Sequence, residues 1–350
     1  MGRVTEQVNL CLSLLAYAGT TGEAAREDQA LHRLLSDWLG RLPATAEHQI
    51  VWGPVSHRIH WQPSAAALVV FVTYSPARDD YAIVIRGGGP MSPWDHNLES
   101  LACLDQEPWI WTQAPGNLAP AICGGVNQQL TVVRELTPEE QLPGAGRNLA
   151  EFLAGRIAEL DGDRKLPIHV VGHGLGGTLA TVVALWLLDT QGSLSARDLA
   201  WDPQHRGKLH CTGFAGPTPG NSDFATYVGD RLGPRLELIH NSLDYAPALW
   251  DTQTLAELPE LYRPHVDDPP LVRALIDALM DALERSGVEY EQPPARIVEG
   301  RLATHLPKSY VAQAEYQHLH AYVELLGLDG VDVDAILDRP SGTDDGPVAQ

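Results

Sequence analysis

Basic residues are scarce in this chain of 350 residues. It has 24 Lys and Arg and 45 Asp and Glu, which gives a formal net charge of −21. A surface of that sign repels phosphate backbones and anionic membranes, so the composition argues against nucleic acid as a partner. Long apolar runs are missing as well, because no segment reaches the roughly 18 apolar residues that span a membrane. We therefore expect no transmembrane segment.

Cysteine is also rare. The four cysteines are Cys11, Cys103, Cys123 and Cys211. None of them forms C-x-x-C or pairs with a histidine at metal-ligand spacing, so the sequence predicts neither a metal site nor a cofactor. A Cys103–Cys123 disulfide is compatible with the spacing, but four free and mostly buried thiols are the favoured interpretation.

The N-terminal region lacks a basic lead-in. Residues 8–18 are mainly apolar, but Glu6 accompanies Arg3 ahead of them, unlike the start of a signal peptide. An amphipathic first helix is the simpler interpretation, and we expect a cytoplasmic rather than a secreted protein.

Strand-type and helix-type patterns alternate along the chain. Strands are predicted at residues 50–52, 57–61, 66–74, 81–85, 168–171, 209–214 and 236–240. Helices are predicted at residues 23–42, 149–160, 178–188, 222–232, 271–285 and 310–326. This alternation predicts an α/β fold with a mainly parallel sheet and helices on both faces.

The same patterns favour one domain over residues 1–338. We expect it to hold an N-terminal helical segment (1–45), a loop-rich lid or pocket region (91–125) and a helical insertion (267–294). The polar tail at 339–350 is expected to be flexible.

Residues 168–180, IHVVGHGLGGTLA, read as a strand, a sharp turn and the start of a helix. They match the nucleophile elbow G-x-S-x-G, except that Gly174 stands where the serine belongs. An elbow strains its apex by on the order of 1–3 kcal/mol when a Cβ is present, and glycine largely escapes that cost. Glycine should therefore preserve the turn while it removes the nucleophilic hydroxyl.

A second interpretation uses the same segment. From Gly172 to Gly177 it also matches G-x-G-x-x-G, the dinucleotide fingerprint of an oxidoreductase. That fingerprint expects a carboxylate about 20 residues on, at the end of the next strand. The predicted strand 209–214 ends without one, while Asp198 and Asp202 fall in a polar connection. The segment alone leaves both interpretations open.

Further sequence motifs distinguish the nucleophile elbow from the dinucleotide fingerprint. They lie at residues 83–88, 172–180, 214–225 and 241–247, with a weaker one at 317–322. In this order the chain resembles the class 3 (fungal-type) lipase family over roughly residues 66–250. The resemblance implies an α/β-hydrolase fold, hydrolysis of carboxylic esters by a Ser-His-Asp triad, and no cofactor.

The resemblance also implies roles for individual residues. Gly174 occupies the nucleophile position, and Asp244 follows a strand where the family places the acid that orients the histidine. His318 fits the general base best because it shortly precedes an aromatic residue, with His305 and His320 as alternatives. The backbone amides of Gly88 and Leu175 would form the oxyanion hole.

The expected ligand is an ester or lipid, with contact to a lipid–water interface. The residues expected to line its pocket are Trp94, Trp109, Trp111 and His173. The chain as it stands should be inactive as a serine hydrolase. The alternative is a non-catalytic lipid- or ester-binding protein that kept the pocket without the nucleophile.

Overall fold

The computed structural model describes residues 2–19, 27–58, 66–87, 102–113, 116–192, 200–267, 269–328 and 330–338. Gly88, Trp94 and the predicted tail 339–350 lie outside the described residues. The strands are β1 Gln49–Arg58, β2 Ala66–Ser75, β3 Asp80–Gly87, β4 Gln106–Pro108, β5 Ala121–Cys123, β6 Leu166–His173, β7 Gly207–Phe214, β8 Leu236–Asn241 and β9 Arg296–Val298. The helices are α1 Arg3–Leu15, α2 Asp28–Arg41, α3 Gly124–Glu135, α4 Leu149–Ala158, α5 Leu175–Thr190, α6 Ser222–Leu232, α7 Pro270–Ser286, α8 Tyr310–His318, α9 His320–Leu325 and α10 Val333–Ile336.

The central sheet has seven strands in the order β1-β2-β3-β6-β7-β8-β9. The pairings β1–β2 and β2–β3 are antiparallel, and every pairing from β3 to β9 is parallel. The strands β4 and β5 form a separate two-stranded ribbon. The predicted fold class, an α/β protein with a mainly parallel sheet, is confirmed.

Both faces of the sheet are buried, as parallel strands require. Along β3, Ile83 and Ile85 enter one apolar cluster with residues of α3 to α6. The alternating neighbours Ala82 and Val84 enter a second cluster with residues of α1 and α2. The N-terminal helices therefore cover the face opposite the helix that follows β6.

The turn between β6 and α5 depends on close backbone packing. A Cβ on Gly172 would lie 2.0 Å from the carbonyl oxygen of Gly176, and one on Gly176 would lie 2.3 Å from the carbonyl oxygen of Ile85. A Cβ on Gly177 would lie 2.6 Å from the carbonyl oxygen of Phe214. These glycines let the start of α5 close against β3 and β7, which accounts for their spacing without a bound phosphate.

Some elements differ from the prediction. The two short strands predicted at 50–52 and 57–61 belong to one strand, β1, whose pairing with β2 has register shifts. The helix predicted at 310–326 is divided at Leu319, whose φ of −115° and ψ of −68° end α8 before α9 begins. The sequence patterns also missed α3 and β9.

The cysteines correct another expectation. Cys103 and Cys123 form a disulfide across a sequence separation of 20, so the interpretation of four free thiols is wrong. Cys11 and Cys211 are free and buried. Burial raises the pKa of each of these two thiols to about 12, which leaves them protonated and unreactive at neutral pH.

None of the helices in the described part of the chain is long and apolar enough to cross a membrane.

Candidate active site

The apex of the turn after β6 has the backbone of a nucleophile elbow. Gly174 adopts φ 58° and ψ −133°, a conformation that L-residues with a Cβ rarely take. Its amide donates to the carbonyl oxygen of Phe214 at 2.8 Å, which anchors the turn to β7. The turn lies at the carboxyl edge of the parallel strands, where α/β folds place their ligands.

The side chains of Asp244 and His318 meet at this edge. Asp244 follows β8 in a turn, and its amide donates to the carbonyl oxygen of Asn241 at 2.9 Å. Nδ1 of His318, the last residue of α8, lies 3.0 Å and 3.1 Å from the two carboxylate oxygens of Asp244. Since a carboxylate only accepts hydrogen bonds, Nδ1 carries the proton and Nε2 presents its lone pair.

The Asp244 carboxylate is held from two further sides. The Tyr322 hydroxyl donates to Oδ2 at 2.9 Å, and the Ala246 amide donates to Oδ1 at 3.0 Å. Burial and the charge of Asp244 raise the pKa of the Tyr322 hydroxyl well above its usual value, so the hydroxyl remains a donor. Asp244 itself is buried. The carboxylate is therefore fixed in the orientation that holds the imidazole of His318.

A side-chain amide pair fixes the segment that carries His318. Nδ2 of Asn241, the last residue of β8, donates to the backbone carbonyl of Gln317 at 2.9 Å and to its side-chain oxygen at 2.8 Å. Gln317 in turn donates to the carbonyl oxygen of Arg301 at 2.7 Å. The end of α8 is thus tied to the end of β8, where Asp244 begins its turn.

His318 and Tyr17 converge on the glycine apex. An ideal Cβ placed on Gly174 would lie 3.1 Å from Nε2 of His318 and 3.1 Å from the hydroxyl oxygen of Tyr17. A serine Oγ would stand one bond beyond that Cβ, within reach of both groups. The structure therefore brings the three predicted site residues together, with His318 between Gly174 and Asp244.

His173 connects the main chain of His318 to the side chain of Tyr17. Its Nε2 lies 2.7 Å from the carbonyl oxygen of His318, and its Nδ1 lies 3.2 Å from the Tyr17 hydroxyl. Burial lowers the pKa of His173 well below its usual value, so the ring is neutral. It donates through Nε2 to His318, and the Tyr17 hydroxyl donates its one hydrogen toward the carbonyl oxygen of His173 at 3.1 Å and toward Nδ1. His173 is completely buried.

The other two candidate histidines have different partners. His305 packs edge-on against Tyr316, with ring centroids 5.7 Å apart. His320 lies one residue beyond the break after α8, and its Nε2 lies 3.2 Å from Oδ1 of Asp334. The structure thus places His318, rather than these alternatives, beside Asp244.

The predicted oxyanion donors are described only in part. Leu175 is the first residue of α5, where helix amides have no acceptor within the helix and favour negative charge. A Cβ on Gly87 would lie 2.9 Å from Cγ of Leu175, so the end of β3 adjoins the start of α5. Gly88, the other predicted donor, falls outside the described residues.

Two of the three predicted pocket tryptophans, Trp109 and Trp111, lie in the described part of the chain. Nε1 of Trp109 donates to Oδ2 of Asp189 at 2.9 Å, and its ring packs against Trp111 and Phe224. A helix rises about 1.5 Å per residue, so Asp189 lies roughly 21 Å along α5 from the elbow. Both tryptophans are buried in the core at that far end of α5. Trp94 lies outside the described residues.

The dinucleotide interpretation finds no support in the contacts. Asp202, one of its two candidate carboxylates, accepts from the amide of Gly207 at 2.7 Å and from the side chain of Gln191 at 2.6 Å. It is buried and ties the connection to the start of β7. Asp198, the other candidate, lies outside the described residues. Among the described residues, no group of three or more His, Cys, Asp or Glu could hold a metal ion.

Comparisons with known proteins show what this chain is similar to. The family model "Lipase (class 3)" matches residues 146–253, which confirms the predicted resemblance to that family. The chain is similar to M37 lipase with a TM-score of 0.82 and 28% sequence identity, over 95% of this chain and 97% of that one. It is also similar to lipase II from Rhizopus niveus, with a TM-score of 0.44 and 15% identity over 70% and 74% of the two chains. No curated protein sequence matches the chain.

Proposed function

We propose that this α/β-hydrolase, which is similar to the class 3 lipases, carries the apparatus of a carboxylic ester hydrolase with glycine in place of its nucleophile. One observation carries the proposal. Nδ1 of His318 is held by Asp244, while Nε2 lies 3.1 Å from the point where residue 174 would have its Cβ. A base that is oriented by an acid and directed at the apex of an elbow is the arrangement that activates a serine.

With serine at position 174, the residues would act in a defined order. His318 would take the proton of the hydroxyl as its oxygen attacks the ester carbonyl carbon, and Asp244 would stabilise the resulting imidazolium. The amides of Leu175 and Gly88 would donate to the oxyanion. His318 would return the proton to the departing alcohol, and water would then release the acid from the acyl-enzyme. The chain with Gly174 cannot form that intermediate.

We further propose that the substrates are lipid esters met at a lipid–water interface. The helix α7, within the predicted insertion 267–294, turns apolar side chains toward solvent: Leu271 is 85% exposed and Leu275 is 49% exposed. Exposed apolar patches of this kind favour contact with lipid. The net charge of −21 favours zwitterionic over anionic lipid. Leu271→Asp should weaken sedimentation with phosphatidylcholine vesicles, and unchanged sedimentation would contradict this part of the proposal.

Gly174 also favours a second function, because a protein that only binds lipids or esters needs no nucleophile. The base and its orienting acid would then remain without a catalytic task. This alternative predicts that the chain binds a fatty acid or ester and that Gly174→Ser gains no activity.

Hydrolysis of short-chain and long-chain p-nitrophenyl esters separates the two functions. We expect Gly174→Ser to exceed the parent chain by on the order of 10³-fold or more. The control is Gly174→Ser combined with His318→Gln, which should lose the gain. The new Cβ would meet Nε2 of His318 and the Tyr17 hydroxyl at 3.1 Å, so both groups must yield by a few tenths of an ångström. A well-folded Gly174→Ser variant without any gain would contradict the catalytic proposal.

A further inference from the structure

We propose that the chain as it stands hydrolyses activated carboxylic esters by a second route, in which His318 acts as a general base on a water molecule held beside Gly174. This inference rests on the proposed function, because it uses the same site and the same class of substrate. It differs in that the nucleophile is water and no acyl-enzyme forms.

The orientation of His318 supplies the base. Asp244 holds Nδ1 at 3.0 Å and Tyr322 secures Asp244 at 2.9 Å, so the lone pair on Nε2 is directed at the elbow. His173 fixes the main chain of His318 through a hydrogen bond of 2.7 Å. These contacts do not involve the side chain of residue 174. The base should therefore keep its orientation when that side chain is absent.

Two polar groups would face a water molecule beside Gly174. Nε2 of His318 and the hydroxyl of Tyr17 are both 3.1 Å from the position of an ideal Cβ. The space that a serine side chain would fill is thus bounded by a proton acceptor and by a hydroxyl. A bound water needs two to four such polar partners. His318 would accept its proton, and the Tyr17 hydroxyl would help to position its oxygen.

Glycine is essential to this arrangement. A methyl group on residue 174 would project toward this water, and its carbon would lie 3.1 Å from both polar groups, which is tighter than an ordinary van der Waals contact of 3.4–4 Å. Alanine should therefore exclude the water without supplying a nucleophile. The route predicts an unusual order of activity at this position, with serine the highest, glycine intermediate and alanine the lowest.

The reaction balances with water as the only co-reactant. Nε2 takes one proton from water as the water oxygen bonds to the ester carbonyl carbon, and the carbonyl π pair moves to the oxygen. The Leu175 amide donates to this oxyanion at the start of α5. The carbonyl re-forms as the bond to the alkoxy oxygen breaks, and that oxygen takes the proton from Nε2. The products are one acid and one alcohol, and His318 returns to its neutral form.

Dependence on the histidine distinguishes this route from the residual activity of an ordinary triad. In a subtilisin-type triad, loss of the serine alone costs about as much as loss of all three members, so the remaining rate no longer uses the histidine. General-base catalysis typically contributes about 10²-fold or more. If ester hydrolysis by the chain with Gly174 still depends on His318, the histidine must therefore act as a general base on water.

The test measures p-nitrophenyl acetate hydrolysis by the parent chain, His318→Gln, Gly174→Ala and Gly174→Ser, each purified identically and checked for folding by thermal unfolding. We expect His318→Gln to lower the parent rate by about 10²-fold, and Gly174→Ala to lower it to a similar level. We also expect the parent reaction to slow in D₂O and to show no burst of p-nitrophenol. If Gly174→Ala fails to fold, His318→Gln and the isotope effect still decide.

A parent rate that His318→Gln leaves unchanged would overturn the inference, as would a folded Gly174→Ala variant as active as the parent. A different result would refute the proposed function. If Gly174→Ser is active and the parent shows no dependence on His318, only the water route is refuted. If the folded Gly174→Ser variant is inactive, the proposed function is refuted.

Discussion

The glycine at position 172 should be intolerant of even one methyl group, because of where the start of α5 lies. A Cβ there would stand 2.0 Å from the carbonyl oxygen of Gly176 and 2.8 Å from that of Ile85. Ordinary contact begins at 3.4 Å, so the helix would have to withdraw from the sheet by more than an ångström. Both obstacles are backbone atoms, which no rotamer change can move. Overpacking typically costs 1–3 kcal/mol, and we expect Gly172→Ala to cost about 3 kcal/mol or more.

Thermal and denaturant unfolding measure this effect. A loss of about 3 kcal/mol should lower the Tm by about 4 °C in a domain of this size. The matched control is Gly40→Ala on the exposed side of α2, where an added Cβ has nothing within 4 Å. That change should stabilise the chain by about 0.5–1 kcal/mol, since alanine is the better helix former. A Gly172→Ala variant as stable as the parent would refute the claim that these glycines exist for helix–sheet packing.

Three further predictions follow from particular contacts. The Cys103–Cys123 disulfide closes a loop of 20 residues, so its reduction should lower the free energy of unfolding by about 3 kcal/mol. Alkylation of the unfolded, unreduced chain should modify only Cys11 and Cys211, and modification of all four cysteines would contradict the disulfide. Burial lowers the pKa of His169 to about 3 in the folded chain, against an ordinary value of 6.5. As the pH falls below 6.5, His169 therefore binds a proton in the unfolded chain but not in the folded one. Stability should then drop by roughly 2–3 kcal/mol by about pH 4.5, and His169→Gln should flatten the fall; an identical profile in the variant would refute this cause. In the serine-restored variant, Asp244→Asn should lower kcat by on the order of 10⁴-fold, because the wrong tautomer of His318 is favoured, and a kcat within tenfold would contradict the orienting role.

The elbow and the sheet were predictable because their signals are local. The helix α6 begins and ends where the pattern predicts, and its Asn221 accepts from the amide of Phe224 as an N-cap. The apolar runs of β2, β6 and β7 likewise predict buried parallel or central strands. The sequence order of the blocks then placed the candidate residues at one edge of the sheet.

The remainder depends on contacts between distant residues. Tyr17 contacts His173 across 156 positions and Tyr322 contacts Asp244 across 78, so no local pattern predicts either of these contacts. The indole of Trp109 donates to Asp189, which is 80 residues away in the sequence. The helix α3 was missed because it begins with two glycines in a region rich in proline and glycine. Tertiary packing outweighs propensity there.

The most direct test of the account is covalent labelling at position 174. A fluorophosphonate reacts with a serine that a histidine activates, and intact-mass and peptide analysis locate the adduct. We predict that Gly174→Ser is labelled at that position, that His318→Gln in the same background abolishes labelling, and that the parent chain is not labelled. Absence of an adduct on a folded Gly174→Ser variant, or labelling that persists without His318, would contradict the claim that this site is built to activate a nucleophile at the elbow.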